Sequence, residues 1–234
     1  MLKLAIFDVD GTLVDSQGAI LSAMAAGHEA AGLEMPPRET VLGIVGLSLP
    51  IAMARLHPDE PAARVERLTV AYKHAYKSAR DAGDGEATTP FFPGARDALD
   101  RLDRAGWLLA IATGKARRGL AHMLEAHDLG RLFVATQTAD DAPSKPHPAM
   151  IENILRETGA DPAGAVMIGD TRFDLEMALN ARVASVGVSW GYHPVEALAA
   201  AAPHSIVEDF GALDAALDAA LTASCRGAGR GTRP

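Results

Sequence analysis

The stretch that most constrains this chain lies near its start, where Leu4-Ala5-Ile6-Phe7 runs into Asp8-Val9-Asp10-Gly11-Thr12. A short apolar run ended by turn residues reads as a buried strand. In an open α/β sheet, ligands bind outside the carboxyl ends of the strands. Asp8 and Asp10 therefore leave the strand where chemistry is expected. Gly11 lets the backbone turn sharply, and Thr12 can hydrogen-bond backbone or ligand. The ordinary alternative is an Asp-rich turn. A calcium-binding EF-hand loop fails on spacing, because Leu13 stands where its glycine belongs.

Further strands are expected at Trp107–Ala112, Phe133–Thr136, Ala165–Ile168, Val183–Val188 and Ser205–Val207. Amphipathic helices are expected at Ala95–Ala105, through Leu120 and Leu124, at Pro148–Thr158 and at Leu175–Asn180. This alternation predicts an α/β fold, a Rossmann-like, mostly parallel sheet with helices on both faces. Residues 16–89 carry only helical patterns, at Ser16–Ala31, from Thr40, at Pro50–Leu56 and at Ala62–Ala82, where Gly83-Asp84-Gly85 ends the run. A single crossover helix would need far fewer residues. A helical cap domain inserted into a core of residues 1–15 and 90–225 is therefore expected. Residues 226–234, rich in Gly and Arg, are expected to be a disordered tail.

The chain has 22 basic and 30 acidic residues, a net charge of −8. That argues against nucleic acid or an anionic membrane as partner, which need basic surface. It leaves room for a small anionic substrate. Cys225 is the only cysteine, so no internal disulfide or cysteine metal cluster forms. No signal-peptide pattern and no apolar run of ~20 residues is seen. A cytoplasmic protein is expected, as monomer or homodimer.

Four loops that follow apolar segments carry distinct polar groups: Asp8/Asp10, Thr113-Gly114-Lys115, Ser144-Lys145-Pro146-His147-Pro148, and Asp170 with Asp174. Carboxylates gathered at one sheet edge repel one another. A divalent cation relieves this, and an oxygen-only site favours Mg²⁺. Lys145 adds positive charge there. Thr113 and the Gly114 N–H, placed at a helix N-terminus, can donate to a phosphoryl group. Thr113-Gly114-Lys115 is not a P-loop, since Leu109 replaces its first glycine and Ala116 its Ser or Thr.

These four loops match in order the motifs of the haloacid dehalogenase superfamily, and the string Phe7 to Ser16 resembles its phosphatase-type nucleophile motif. The resemblance spans about residues 2–215 and points to the phosphoglycolate phosphatase-like subgroup with a helical cap. It implies that Asp8 is a nucleophile forming an aspartyl-phosphate, and that Asp10 is general acid and then base. It implies that Asp8, the Asp10 main-chain carbonyl and Asp170 hold Mg²⁺, with Asp174 in support, while Thr113, Gly114 and Lys145 bind the phosphoryl group. The implied activity is hydrolysis of a small phosphorylated metabolite. A phosphosugar mutase shares all four motifs and is the alternative. A non-catalytic phosphate-binding protein would have lost one of them. A haloacid dehalogenase needs no second aspartate, so Asp10 argues against it.

Several neighbours receive plainer readings. Lys115 is expected to be structural or exposed, with a substrate-side role as the lesser alternative. Arg117 and Arg118 are expected on a solvated helix face. Trp190, Tyr192 and His193 are expected to pack the core edge. Gly43–Leu49 is the segment expected to face substrate, with a helix-breaking hinge as the alternative.

Overall fold

A computed structural model describes residues 2–81 and 89–228. The expected helix stop at 83–85 and the last six residues, 229–234, lie outside the described residues. Strand β1 (Leu4–Phe7) is followed by five helices: α1 (Gln17–Ala31), α2 (Arg38–Leu42), α3 (Leu49–Leu56), α4 (Ala62–Asp81) and α5 (Ala95–Arg104). Strand and helix then alternate: β2 (Leu108–Ala112), α6 (Arg117–Ala126), β3 (Phe133–Gln137), α7 (Ala149–Thr158), β4 (Ala165–Gly169), α8 (Arg172–Asn180), β5 (Ala184–Val188), α9 (Val195–Ala200), β6 (Ser205–Val207) and α10 (Leu213–Ala228).

The six strands form one sheet in the order β3-β2-β1-β4-β5-β6, and every neighbouring pair is parallel. The chain builds outward from β1 to β3, then returns to the other side of β1 with β4. Such a reversal of strand order opens a crevice at the carboxyl ends. Phe7 lies opposite Ile111 on one side and Ile168 on the other. The residues that follow β1, β2 and β4 therefore leave the sheet side by side.

Alternation along β1 sets the layers. Ala5 and Phe7 face one apolar layer, built with Leu99 and Leu102 of α5, Leu120 and Met123 of α6, and Leu213 and Leu217 of α10. Leu4 and Ile6 face the other, built with Ile151 and Ile154 of α7 and Met177 and Ala178 of α8. Neither α9 nor α10 was expected. The α10 pattern, Leu213, Leu217, Ala220 and Leu221, has helical spacing, but alanine dilutes it, at six of the 16 residues. The helix also runs three residues into the stretch expected to be a disordered tail, ending at Ala228.

Among the described residues, α1–α4 contain no strand and gather their own apolar cluster. Met24, Val41, Ile44, Leu47, Met53, Val65 and Leu68 pack together, and Phe173 from α8 joins them. A smaller cluster of Ile20, Leu42 and Val45 takes in Tyr192 from the sheet side. Among the described residues no helix is long and apolar enough to cross a membrane.

Candidate active site

The site forms where β1 and β4 end. Gly11 takes φ +85°, and a Cβ on it would meet the Asp170 carboxylate at 2.2 Å. Only glycine allows both that conformation and that approach. Asp8 is buried, and its Oδ1 accepts the Val9 N–H at 2.7 Å. Asp170 is also buried; its Oδ1 accepts the Thr12 hydroxyl at 2.8 Å and its Oδ2 the Tyr192 N–H at 2.9 Å.

Lys145 is enclosed between two carboxylates. Its Nζ donates to Asp174 Oδ1 at 2.6 Å and lies 2.9 Å from Asp8 Oδ2. The second Asp174 oxygen accepts the Thr171 N–H and hydroxyl, at 3.0 and 2.7 Å, in a capping box that starts α8. Both Asp174 oxygens are thus fixed by donors, which makes it a brace for Lys145 and for the helix.

One oxygen from each of Asp8, Asp170 and Asp174 falls within 4.8 Å of the others. Asp10, the fourth carboxylate expected at this edge, is not in that group. Its side chain turns to Lys115, with Oδ1 3.1 Å from Nζ. Of the readings given for Lys115, the exposed one is corrected: its side chain is only 9% exposed and pairs with Asp10.

Thr113 is buried at the end of β2, where its Oγ1 accepts the Lys115 N–H at 3.3 Å. Gly114 departs from expectation. Helix α6 begins only at Arg117, so Gly114 is not in its first turn. Instead a Cβ on Gly114 would meet the Gly46 carbonyl oxygen at 2.5 Å and the Leu47 oxygen at 2.8 Å. The 43–49 segment is thus seated on the site loops. The Ser48 N–H donates to Ser144 Oγ at 2.8 Å, and His193 Nε2 bonds the Gly43 oxygen at 3.2 Å.

The residues after β5 do more than pack. Trp190 Nε1 donates to the Thr12 oxygen at 3.0 Å. The Tyr192 hydroxyl meets the N–H and hydroxyl of Ser16, just before α1, at 2.9 and 3.1 Å. His193 Nδ1 accepts the Arg172 N–H at 3.2 Å. Their polar roles join site and helices, and nothing in the sequence pattern marks them. Arg117, read as solvated, pairs with Asp141 at the surface.

Three carboxylates gather about one ammonium that contacts two of them, an excess of negative charge in a buried place. Burial pushes the Asp8 carboxyl up to about 7, against the pull of Lys145. Burial, with Asp174 and Asp8 nearby, raises Asp170 well above the usual carboxylate range. Burial acts to lower Lys145, but Asp174 and Asp8 outweigh it and hold the ammonium at about 12. The approach of Lys145 to Asp8 Oδ2 is an ion pair without hydrogen-bond direction, so that buried oxygen has no hydrogen-bond partner. An oxygen-only set with an unfilled buried acceptor suits a hard divalent cation.

Residues 5–188 match the family model described as haloacid dehalogenase-like hydrolase. The chain belongs to this family. It is 36% identical over 213 residues to "Probable phosphatase IndB" of Dickeya dadantii, covering 90% of this chain and 91% of that one. It is 33% identical to a phosphoglycolate phosphatase of Agrobacterium fabrum over 90% of both chains. A solved hydrolase from Pseudomonas syringae superposes with a TM-score of 0.81 at 25% identity, over 93% of this chain and 98% of that one.

Proposed function

We propose that this protein is a cytoplasmic, Mg²⁺-dependent phosphatase that hydrolyses a small phosphorylated metabolite through an aspartyl-phosphate on Asp8. The observation that carries the reading is Asp8 itself. Its Oδ2 is buried beside Lys145, without a hydrogen-bond donor, at the crevice where the strand order reverses. The phosphatase relatives add support.

In this reading Asp8 attacks phosphorus and the ester P–O bond breaks. Asp10, two residues on, gives its proton to the departing alcohol oxygen. Water then attacks the phosphorus of the acyl phosphate, Asp10 takes its proton, and inorganic phosphate leaves with Asp8 restored. Thr113, the Gly114 N–H and Lys145 hold the phosphoryl oxygens. Asp8, the Asp10 main-chain carbonyl and Asp170 would hold Mg²⁺, which when bound neutralises charge on the phosphoryl group. Helices α1–α4, within residues 16–89, serve as the cap over a core of residues 1–15 and 90–225.

The test is phosphate release from p-nitrophenyl phosphate and a panel of phosphorylated metabolites, with EDTA and with Mg²⁺ restored. Release only with Mg²⁺, abolished by Asp8→Asn in a folded protein, is the expected result. Near-normal turnover by that variant would refute the nucleophile. Transfer of the phosphoryl group to a second position of a sugar, without phosphate release, would instead indicate a mutase.

A further inference from the structure

Tyr192 spans two parts of the molecule. Its main-chain N–H donates to Asp170 Oδ2 at 2.9 Å. Its hydroxyl accepts the Ser16 N–H at 2.9 Å and lies 3.1 Å from Ser16 Oγ, where α1 begins. Its ring packs on Ile20, Leu42 and Val45, all from the helical unit. That unit leaves the core where Val14 pairs with Phe91 and the Asp15 N–H donates to the Pro90 oxygen at 2.9 Å. Ser16 is the next residue. It is buried, and it precedes α1 without capping it. A serine there ordinarily bonds the free N–H groups of its own helix. This one turns its hydroxyl to Tyr192 instead.

The other end of the link is equally constrained. A Cβ on Gly191 would meet the Asp170 Cβ at 2.1 Å and its Oδ2 at 2.4 Å, so the loop runs directly against the carboxylate. Trp190 Nε1 donates to the Thr12 oxygen, and the Thr12 hydroxyl donates to Asp170 Oδ1. The two Asp170 oxygens are thus held by a ring of contacts that closes through residues 190–192. Groups that hold a metal ligand in this way fix its orientation and with it the affinity of the site.

Resting on the reading of Asp170 as a Mg²⁺ ligand in a phosphatase, we infer that Tyr192 is a positioning residue that couples the seating of α1–α4 to the affinity of the site for its metal. Anchored on Ser16, Tyr192 aims its N–H at Asp170. Released from Ser16, the 190–192 loop gains freedom and the carboxylate loses its fixed orientation. A coupling of this kind is reciprocal, so metal binding favours the seated helices.

Calorimetric titration of EDTA-stripped protein with Mg²⁺ tests this without turnover, with melting curves to show that each variant is folded. Loss of an outer partner of a metal ligand weakens binding about 10- to 100-fold. Tyr192→Phe keeps the N–H and the ring and loses only the hydroxyl, so its Kd should rise by the lower figure, about 10-fold. Ser16→Ala removes the other hydroxyl but keeps the Ser16 N–H, so its effect should be smaller and in the same direction. Added to Tyr192→Phe, Ser16→Ala should change nothing further, because its partner is gone. A merely structural contact would lower the melting temperature and leave Kd alone. An unchanged Kd in both single variants would therefore overturn the inference while the phosphatase reading stands. Additive losses in the double variant would overturn it too, since the two hydroxyls would not be acting through each other. Should Tyr192→Phe fail to fold, the Kd of Ser16→Ala decides alone. No Mg²⁺ binding by wild type would overturn the metal reading together with the inference.

Discussion

Replacing Gly114 with alanine places a methyl group 2.5 Å from the Gly46 carbonyl oxygen and 2.8 Å from both its carbon and the Leu47 oxygen. These are backbone atoms, so no side chain can swing aside. Restoring an ordinary contact of 3.4 Å requires the 46–47 turn to retreat by about 0.9 Å. Gly114 is not among the glycines with positive φ, so alanine strains no dihedral. Its effect on the unfolded chain should add ~0.4–1 kcal/mol of stability, offsetting part of the lost packing. Overpacking against main-chain atoms costs ~1–3 kcal/mol, so global stability should fall by up to about 2 kcal/mol. Activity should not be spared, because the shifted turn carries the Ser48–Ser144 bond and sits over the phosphoryl loop. A misplacement near 1 Å costs on the order of 10²-fold in rate. Thermal melting and phosphate-release kinetics on Gly114→Ala would measure the two effects side by side. Turnover within about threefold of wild type would refute the reasoning, showing that this contact positions nothing.

Asp10→Asn should slow phosphoenzyme formation most for esters with poor leaving groups; equal slowing across leaving groups of different pKa would count against an acid role. Mg²⁺ added to EDTA-stripped protein at about 100 times its Kd should stabilise the fold by ~2.7 kcal/mol, a rise of roughly 5–10 °C for a chain of this size. Asp170→Asn should remove most of that rise, and an unchanged shift in the variant would move the ion elsewhere. Burial, and then His28, lowers the pKa of His57 from its usual 6.5, with Arg64 acting the same way and Glu60 opposing. A base held neutral in the fold contributes full stability above pH 6.5, and that contribution is lost as the pH falls below it. The melting temperature of wild type should thus drop more than that of His57→Gln between pH 7.5 and 5.5; parallel drops would exclude His57.

Much of this could be read before any coordinates. The apolar runs gave the strands because each is short, continuous and bounded by turn residues, and their alternation with helices implied the parallel sheet. The loops bearing Asp8, Lys145, Asp170 and Asp174 were visible because each follows such a run. What escaped depends on geometry between distant segments. Lys115 could be structural, exposed or on the substrate side by sequence, because its pairing with Asp10 and its approach to Tyr76 of α4 join segments far apart in the chain. Gly114 looked like the start of a helix, but α6 begins three residues later. Tyr192 and His193 act through a main-chain N–H, a hydroxyl and a ring nitrogen, none of which leaves a periodic trace. The α10 helix was overlooked because its apolar spacing is diluted by alanine.

Phe173 sits between Arg172 and Asp174, yet its ring is buried in the apolar cluster of α1–α4 and meets His193 edge-on at 5.3 Å. A residue of the chemical machinery's own helix is thus the plug for the neighbouring unit's socket. Burying such a ring is worth ~1.5–3 kcal/mol, so a helical unit grafted from a relative must bring a matching hollow. Helices α1–α4 can diverge widely in sequence, provided they keep that one hole.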